Sequence, residues 1–252
     1  MLRQRYLDLH LYNNMGRAFE FRKARKMKRW SNMSKTFTRI GREIIIAVKE
    51  SGPDPSSNSR LRAIIQNAKA ANMPKDNIER AIKKASEKSS ENFKEVLLEG
   101  YAPHGIAILV EAATDNNNRT VANIRSYFNK CDGSLATSGS VDFLFDHLCF
   151  FQIKDQGIDI EELELDLIDF GVIELSKLEN EISITARFED FGSIQKELER
   201  RGLEISSSEF EREAKINKNL TEDERLKVER LINMIDEDED VQNVYHDMKT
   251  ID

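Results

Sequence analysis

The hydrophobic periodicity of this chain changes at Phe93, and that change limits the folds open to it. Upstream, Phe37, Ile40, Ile44, Ile45 and Val48 recur at helical spacing, which predicts a helix with one apolar face. Ser51-Gly52-Pro53-Asp54-Pro55 ends it, because glycine supports a C-terminal turn and proline disfavours helical geometry in the residue before it. A second helix is expected from about Asn58 to Ala71, burying Leu61, Ile64, Ile65 and Ala68. A third starts near Lys75, with Pro74 close to its first turn and Asp76 facing the positive helix end; Ile78, Ala81 and Ile82 point inward. Three helices joined by short proline-bearing turns make a small bundle. Residues 86–92 read as a polar linker.

Downstream, apolar residues come in short runs. Residues 96–101 and 105–112 predict two strands around an Ala102-Pro103-His104-Gly105 turn. A helix is expected at 120–130, opened by asparagines 116–118, with Asp115 as its cap beside Arg119. Residues 133–140 form a Gly/Ser/Thr loop, and 141–145 alternate apolar and acidic residues like a half-buried strand. Then come a strand (149–153), an acidic helix (160–170), strands at 172–175 and 182–186, a helix (191–201) and a strand (203–207). Strand–helix–strand–strand–helix–strand is a ferredoxin-like order. A last helix, 222–235, is capped by Thr221 with Glu224 three residues on. The acidic run 236–240 leads to a final strand, 241–245, which has no place in the ferredoxin-like unit and is expected to pair back with the strands at 96–112. The expected fold is α+β with three domains: an N-terminal helical bundle followed by two α/β domains, the middle one ferredoxin-like and inserted into the other. Residues 1–14 are expected to be a disordered extension and 15–90 the basic bundle. Residues 91–147 plus 214–252 then make the α/β domain and 148–213 the insertion.

The net charge of −7 hides a split. Residues 1–90 carry 21 Lys/Arg against 8 Asp/Glu, or +13; residues 91–252 carry 17 against 37, or −20. Such asymmetry points to a polyanion partner for the basic part, with the acidic part repelling the same polyanion and so orienting the molecule on it. The densest run, RKARKMKR at 22–29, ends at Trp30. The candidate nucleic-acid contacts are Arg17, Arg22, Lys23, Arg25, Lys26, Lys28, Arg29, Lys35, Arg39, Arg42, Arg60, Arg62, Lys69 and Lys75. Such side chains neutralise phosphates and release counterions, and the interleaved Phe19, Phe21 and Trp30 could stack on unpaired bases. The competing reading is a solvated helix face with its aromatics in the core; the acid-poor character of the whole first third favours nucleic acid.

Other classes find little support. The apolar runs 44–48 and 106–110 fall far short of the roughly 20 residues of a membrane helix. The first 14 residues lack a sustained apolar stretch, so no secretory signal is expected, and Met15 reads as the natural start. Cys131 and Cys149, without CxxC spacing, predict free thiols and a cytoplasmic, reducing setting. The four histidines show no metal-ligand spacing. Residues 133–139 lack the ending of a phosphate loop. Residues 236–240 lack the glycine and glutamate of a calcium loop and predict a solvated acidic turn. Serines 134, 138 and 140 have no nearby histidine, and no GxSxG elbow is present. No cofactor, metal, membrane or small-molecule substrate is expected, and no enzymatic activity.

Several long stretches carry a resemblance. They are AKAANMPKDNIERAIKK (68–84), EGYAPHGIAILVEAATDNNNRTVANIR (99–125), GSLATSGSVDFLF (133–145) and DVQNVYH (240–246), with FTRIGREI and NSRLRAIIQ before them. Together they resemble the YebC family of transcriptional regulators, whose relatives include the mitochondrial translational activator of cytochrome c oxidase, and the likeness covers residues 15–252. The resemblance implies a helical N-terminal domain and two α/β domains, one inserted in the other. It also implies DNA binding and transcriptional control, a role for some members in helping ribosomes through difficult sequences such as proline runs, and no cofactor or catalytic residue. The chain departs from the family's GHSKW-type opening, having Gly16-Arg17-Ala18-Phe19-Glu20-Phe21. It also replaces a glycine-rich hairpin turn with Ala102-Pro103-His104-Gly105, so His104 must adopt a backbone angle a side chain tolerates. The expected function is a nucleic-acid-binding regulator of gene expression, foremost a DNA-binding transcriptional regulator. The alternatives are a ribosome-associated translation factor using the same basic domain on ribosomal RNA, and a scaffold whose acidic surface holds a basic partner. No helix-turn-helix reading helix is evident, so sequence-specific base readout is not expected.

Overall fold

The computed structural model describes residues 33–87, 92–178 and 180–250. Among the described residues three helices come first: α1 (Met33–Ser51), α2 (Ser59–Ala70) and α3 (Lys75–Ser86). The apolar stripe of α1 (Ile40, Ile44, Ile45, Ala47 and Val48) packs against Leu61, Ile64 and Ala68 of α2 and Ile78 and Ala85 of α3. Asn58 ties the bundle at one corner. Its side-chain oxygen accepts from the Leu61 N–H at 2.9 Å, and its amide donates to the Ala47 and Gly52 carbonyls at 2.8 and 2.9 Å. One buried side chain thus caps α2 and ties it to two carbonyls at the end of α1.

The elements that follow are β1 (Lys94–Tyr101), β2 (Ala107–Thr114), α4 (Asn117–Lys130), β3 (Ser134–Leu135), β4 (Phe145–Lys154), α5 (Ile160–Leu167), β5 (Val172–Leu178), β6 (Glu181–Arg187), α6 (Phe191–Arg200), β7 (Ile205–Ala214), α7 (Glu222–Asp236) and β8 (Val241–His246). They build two antiparallel four-stranded sheets, ordered β3-β1-β2-β8 and β5-β6-β4-β7. Helices α4 and α7 cover one face of the first sheet, where Ile124, Phe128, Val228, Leu231 and Ile235 meet Ile106, Ile108, Val110 and Val241. Gly100 permits the close approach of Phe128: a Cβ there would sit 2.6 Å from the ring. The second sheet carries α5 and α6, which bury Leu163, Leu167, Ile194 and Leu198 against Phe151, Ile153, Ile182 and Ile184. At the head of α7 the Glu224 carboxylate accepts from the Thr221 N–H and hydroxyl, both at 2.9 Å.

Some expectations give way. Residues 141–145 are not a separate strand: Asp142–Leu144 form a short turn, and a single strand runs from Phe145 to Lys154. The cause lies in β7, which pairs with it from Phe145↔Ala214 to Ile153↔Ile205 and so extends well past the expected end at 207. The loop at 133–140 is organised by a group that local sequence does not reveal. Glu99, only 2% exposed, accepts N–H bonds from Gly139, Val141 and Asp142 at 2.6, 2.6 and 2.9 Å. Burial alone would raise its carboxyl, but the backbone N–H groups of Val141, Gly139, Asp142 and Ser140 outweigh that and hold it below the usual carboxylate range.

Glu99→Gln should therefore destabilise the protein by about 2 kcal/mol at neutral pH, since an amide NH2 replaces part of an all-acceptor group. A carboxylate whose folded value is depressed stabilises fully above its unfolded value of ~4.3 and loses that contribution as pH falls through the folded value. Urea unfolding at neutral pH and in acid should show the gap between wild type and variant narrowing in acid.

Candidate nucleic-acid interface

Of the candidate contacts, Arg17, Arg22, Lys23, Arg25, Lys26, Lys28 and Arg29, with the aromatics Phe19, Phe21 and Trp30, lie outside the described residues. The others can be placed. Lys35, Arg39 and Arg42 stand at i, i+4 and i+7 on α1, hence on one face. That face meets the acidic run at 236–240. Lys35 lies 3.6 Å from the Asp236 carboxylate and also donates to the Asp236 carbonyl. Arg39 Nη2 donates to Asp236 Oδ1 at 2.9 Å and to its carbonyl at 3.0 Å. Arg42 Nη1 lies 3.2 Å from Asp240 Oδ1 and donates to the Ala113 carbonyl at 3.2 Å and to the Glu239 carbonyl. The three cations fasten the bundle to the end of α7 and the start of β8.

The acidic run is correspondingly not the solvated turn its composition predicts. Asp240 is 3% and Asp238 8% exposed. Asp240 Oδ2 accepts from Thr114 Oγ1 at 3.1 Å, Thr120 Oγ1 at 2.7 Å and Arg119 Nη2 at 2.8 Å. Asp238 accepts from Asn123 at 3.1 Å, Tyr127 at 3.0 Å and the Asp240 N–H at 3.0 Å. Donors from β2 and α4 converge on the run because the Asp240 carbonyl also accepts from the Ala113 N–H, which stitches it to the sheet. Burial would raise the carboxyls of Asp236 and Asp240. Arg39 and Lys35 hold the first low, and Arg119, Thr120 and Thr114 hold the second low. The guanidinium of Arg119 is raised in turn by Asp240 and Asp115. The expected capping of α4 by Asp115 is also corrected. Asn116 is the cap, accepting from the Arg119 N–H at 3.2 Å, while Asp115 pairs with the Arg119 side chain at 2.8 Å.

Arg60 bridges Glu50 at 2.9 Å and Glu95, and Arg62 pairs with Glu199 at 3.1 Å while donating to the Pro55 carbonyl at 2.6 Å. These two link the bundle to its surroundings. Lys69 and Lys75 are exposed; Lys75 stands 3.5 Å from Glu79 on its own helix. Arg80 and Lys83 add exposed charge on α3, which the candidate set omits although their spacing with Lys75 was legible. A groove of about 780 Å³ runs between α1, α3 and α4, but it is no phosphate track. Arg42, Lys84 and Arg119 there face Asp115, Glu237, Asp238, Glu239 and Asp240.

His104 takes a left-handed conformation, φ 64°, with Nδ1 3.4 Å from Glu224. Cys131 and Cys149 are buried free thiols; burial pushes Cys149 up to about 12, which makes it inert. Among the described residues no group of three or more His, Cys, Asp or Glu is arranged to hold a metal ion, and no helix is long and apolar enough to cross a membrane.

This architecture has known counterparts. Residues 17–88 match the family model described as the TACO1/YebC protein N-terminal domain, and residues 93–248 match that of the TACO1/YebC second and third domain. The chain is 68% identical over 235 residues to a protein of Flavobacterium johnsoniae named "Probable transcriptional regulatory protein", covering 93% of this chain and 99% of that one. A protein of Myxococcus xanthus with the same name is 49% identical over 239 residues, covering 93% and 100%. Among solved structures, that of a conserved hypothetical protein from Aquifex aeolicus matches with a TM-score of 0.70 at 37% identity, over 86% of this chain and 90% of that one. With both family models and these relatives spanning nearly its whole length, the chain belongs to the TACO1/YebC family.

Proposed function

We propose that this protein is a non-catalytic, nucleic-acid-binding regulator of gene expression, a DNA-binding transcriptional regulator that engages phosphates through its basic N-terminal region. The observation that carries the reading is the concentration of positive charge: residues 1–32 hold nine Lys/Arg against two Asp/Glu. The names of the relatives support the regulatory part. In this reading Arg17, Arg22, Lys23, Arg25, Lys26, Lys28 and Arg29 make the main phosphate contacts, with Lys69 and Lys75 at the edge. Lys35, Arg39 and Arg42 join only when a phosphate displaces Asp236 or Asp240. We also read the chain as three domains, the bundle and two α/β units, with the β4-to-β7 unit inserted between β3 and α7. The order of strands in the two sheets supports that division.

One observation favours a second reading, a ribosome-associated translation factor that relieves stalling. Among the described residues, the exposed candidates Lys69 and Lys75 are lysines on helix surfaces, and phosphate contacts of that kind carry no sequence information. Such a surface serves ribosomal RNA as well as duplex DNA. Gel shifts with duplex DNA beside co-sedimentation with ribosomes separate the two. A protein that shifts DNA but stays at the top of the gradient is the first; one that sediments with ribosomes and ignores DNA is the second.

Asp236 is half exposed and competes with phosphate for Lys35 and Arg39. Asp236→Asn should tighten nucleic-acid binding about two- to three-fold at low salt, a modest gain because the pair is partly screened. Fluorescence anisotropy checks this against Glu161→Gln, an exposed carboxylate on α5. The two variants change net charge equally, so only a larger gain for Asp236→Asn supports the competition.

A further inference from the structure

Where α1 and α2 meet β7 and β8, a cleft of about 110 Å³ opens, several times the ~30 Å³ share of one water molecule in the liquid. Ile40, Ala70 and Ala71 supply apolar wall, and Arg39 and Gln242 supply polar groups. Gln242 is 7% exposed, and neither its amide oxygen nor its nitrogen finds a partner among the described groups. The Nε–H of Arg39 is buried and unpartnered as well, although its Nη2 is held by Asp236. Neighbouring amides are already engaged. Asn67 exchanges hydrogen bonds with the Ser208 backbone, and Asn243 donates to Glu111 at 3.0 Å. A buried unpaired amide costs free energy that a leucine of similar size would not.

These groups specify a ligand. It must offer an acceptor to Arg39 Nε–H, and a donor beside an acceptor on one edge for the Gln242 amide. It must be flat enough to lie along the alanine and isoleucine wall. Glu43 and Glu209 also line the cleft, so the inserted group is not anionic. An extended peptide residue can pair with one side-chain amide, as Ser208 does with Asn67, but it cannot at the same time lay a flat apolar face along the alanine and isoleucine wall. A nucleobase can, because its edges place donor and acceptor side by side and its faces are apolar. In a duplex those Watson–Crick edges are occupied.

We propose that this cleft holds one unpaired base of a single-stranded nucleic acid, read by the Gln242 amide and Arg39 Nε, while the backbone stays outside near Lys35. The assignment rests on the nucleic-acid reading above and sharpens it: the preferred ligand has an unpaired stretch. It selects no particular base, since each offers a donor beside an acceptor.

The test uses the full chain and fluorescence anisotropy with an oligonucleotide of about 12 nucleotides, as single strand and as duplex, at several salt concentrations. Wild type should bind the single strand about ten-fold more tightly than the duplex. Gln242→Leu should shrink that gap to about two-fold or less without changing the salt dependence, since it leaves phosphate contacts alone. Its melting temperature should match or exceed wild type, which separates lost recognition from lost folding. Ala70→Leu, filling the cleft from its apolar wall, should act the same way. Equal binding of single strand and duplex by wild type, or an undiminished single-strand preference in both variants, overturns the slot and leaves the nucleic-acid reading standing. Displacement of the strand by an unstructured neutral peptide overturns it in favour of a peptide ligand. Binding of neither oligonucleotide overturns both.

Discussion

Asp240→Ala is expected to lower stability by about 4 kcal/mol, the largest effect of any single substitution considered. The alanine removes the acceptor for Thr114, Thr120 and Arg119 at once and leaves Arg42, itself largely buried, without its carboxylate. Breaking a buried charge pair from one side leaves the partner uncompensated, and that dominates the cost. For a chain of this size the loss corresponds to a fall in melting temperature of roughly 10 °C, which calorimetry would read directly. Asp240→Asn should cost less, because it keeps the shape and one acceptor oxygen. The folded carboxyl lies below its ordinary value, so its contribution is full at neutral pH and is lost as pH falls through that depressed value. The difference between wild type and Asp240→Ala should accordingly shrink in acid. Because Asp240 also receives Arg42, hydrogen exchange should rise along α1 as well as at the start of α4.

Reversing Arg22, Lys23, Arg25 and Lys26 to glutamate should weaken nucleic-acid binding by at least about 100-fold at low salt. Four phosphate contacts are lost and four repulsions replace them. The slope of log affinity against log salt should become shallower by about 3 to 4 units, since each contact contributes ~0.7 to 0.9. A melting temperature that matches wild type would separate lost phosphate contacts from lost folding. Lys75→Glu offers a comparison: one exposed lysine already near Glu79 should cost only about three-fold. If the four-fold reversal left affinity untouched, the acidic surface would become the better candidate for partner binding.

Much of the fold was legible because its signals are local. The stripe from Ile40 to Val48, the break at Gly52-Pro53 and the Thr221/Glu224 cap each lie within a few residues, and each appears in the structure. So does the strand–helix–strand–strand–helix–strand order between Phe145 and Ala214. The residues that organise the candidate interface were not legible, for a common reason: their partners lie more than a hundred residues away. An acidic run at 236–240 looks solvated until Thr114, Thr120 and Arg119 are brought to it, and nothing near Asp240 announces them. Lys35, Arg39 and Arg42 look like free cations for the same reason, since Asp236 and Asp240 are about two hundred residues away in the chain. Asp115 and Asn116 are both good caps, and only the Asp115–Arg119 pair decides between them. Gln242 sits in a stretch that family resemblance marks and that periodicity assigns to a strand; its isolation from hydrogen-bond partners is a property of packing alone.

The account depends most on phosphate recognition by the basic N-terminal region, and a salt titration of the full chain tests that most directly. Binding constants for duplex DNA and for ribosomal RNA, measured across ionic strength, should fall steeply, with a logarithmic slope of about −5 or steeper for the physiological partner. Affinity that is indifferent to salt for both would contradict it.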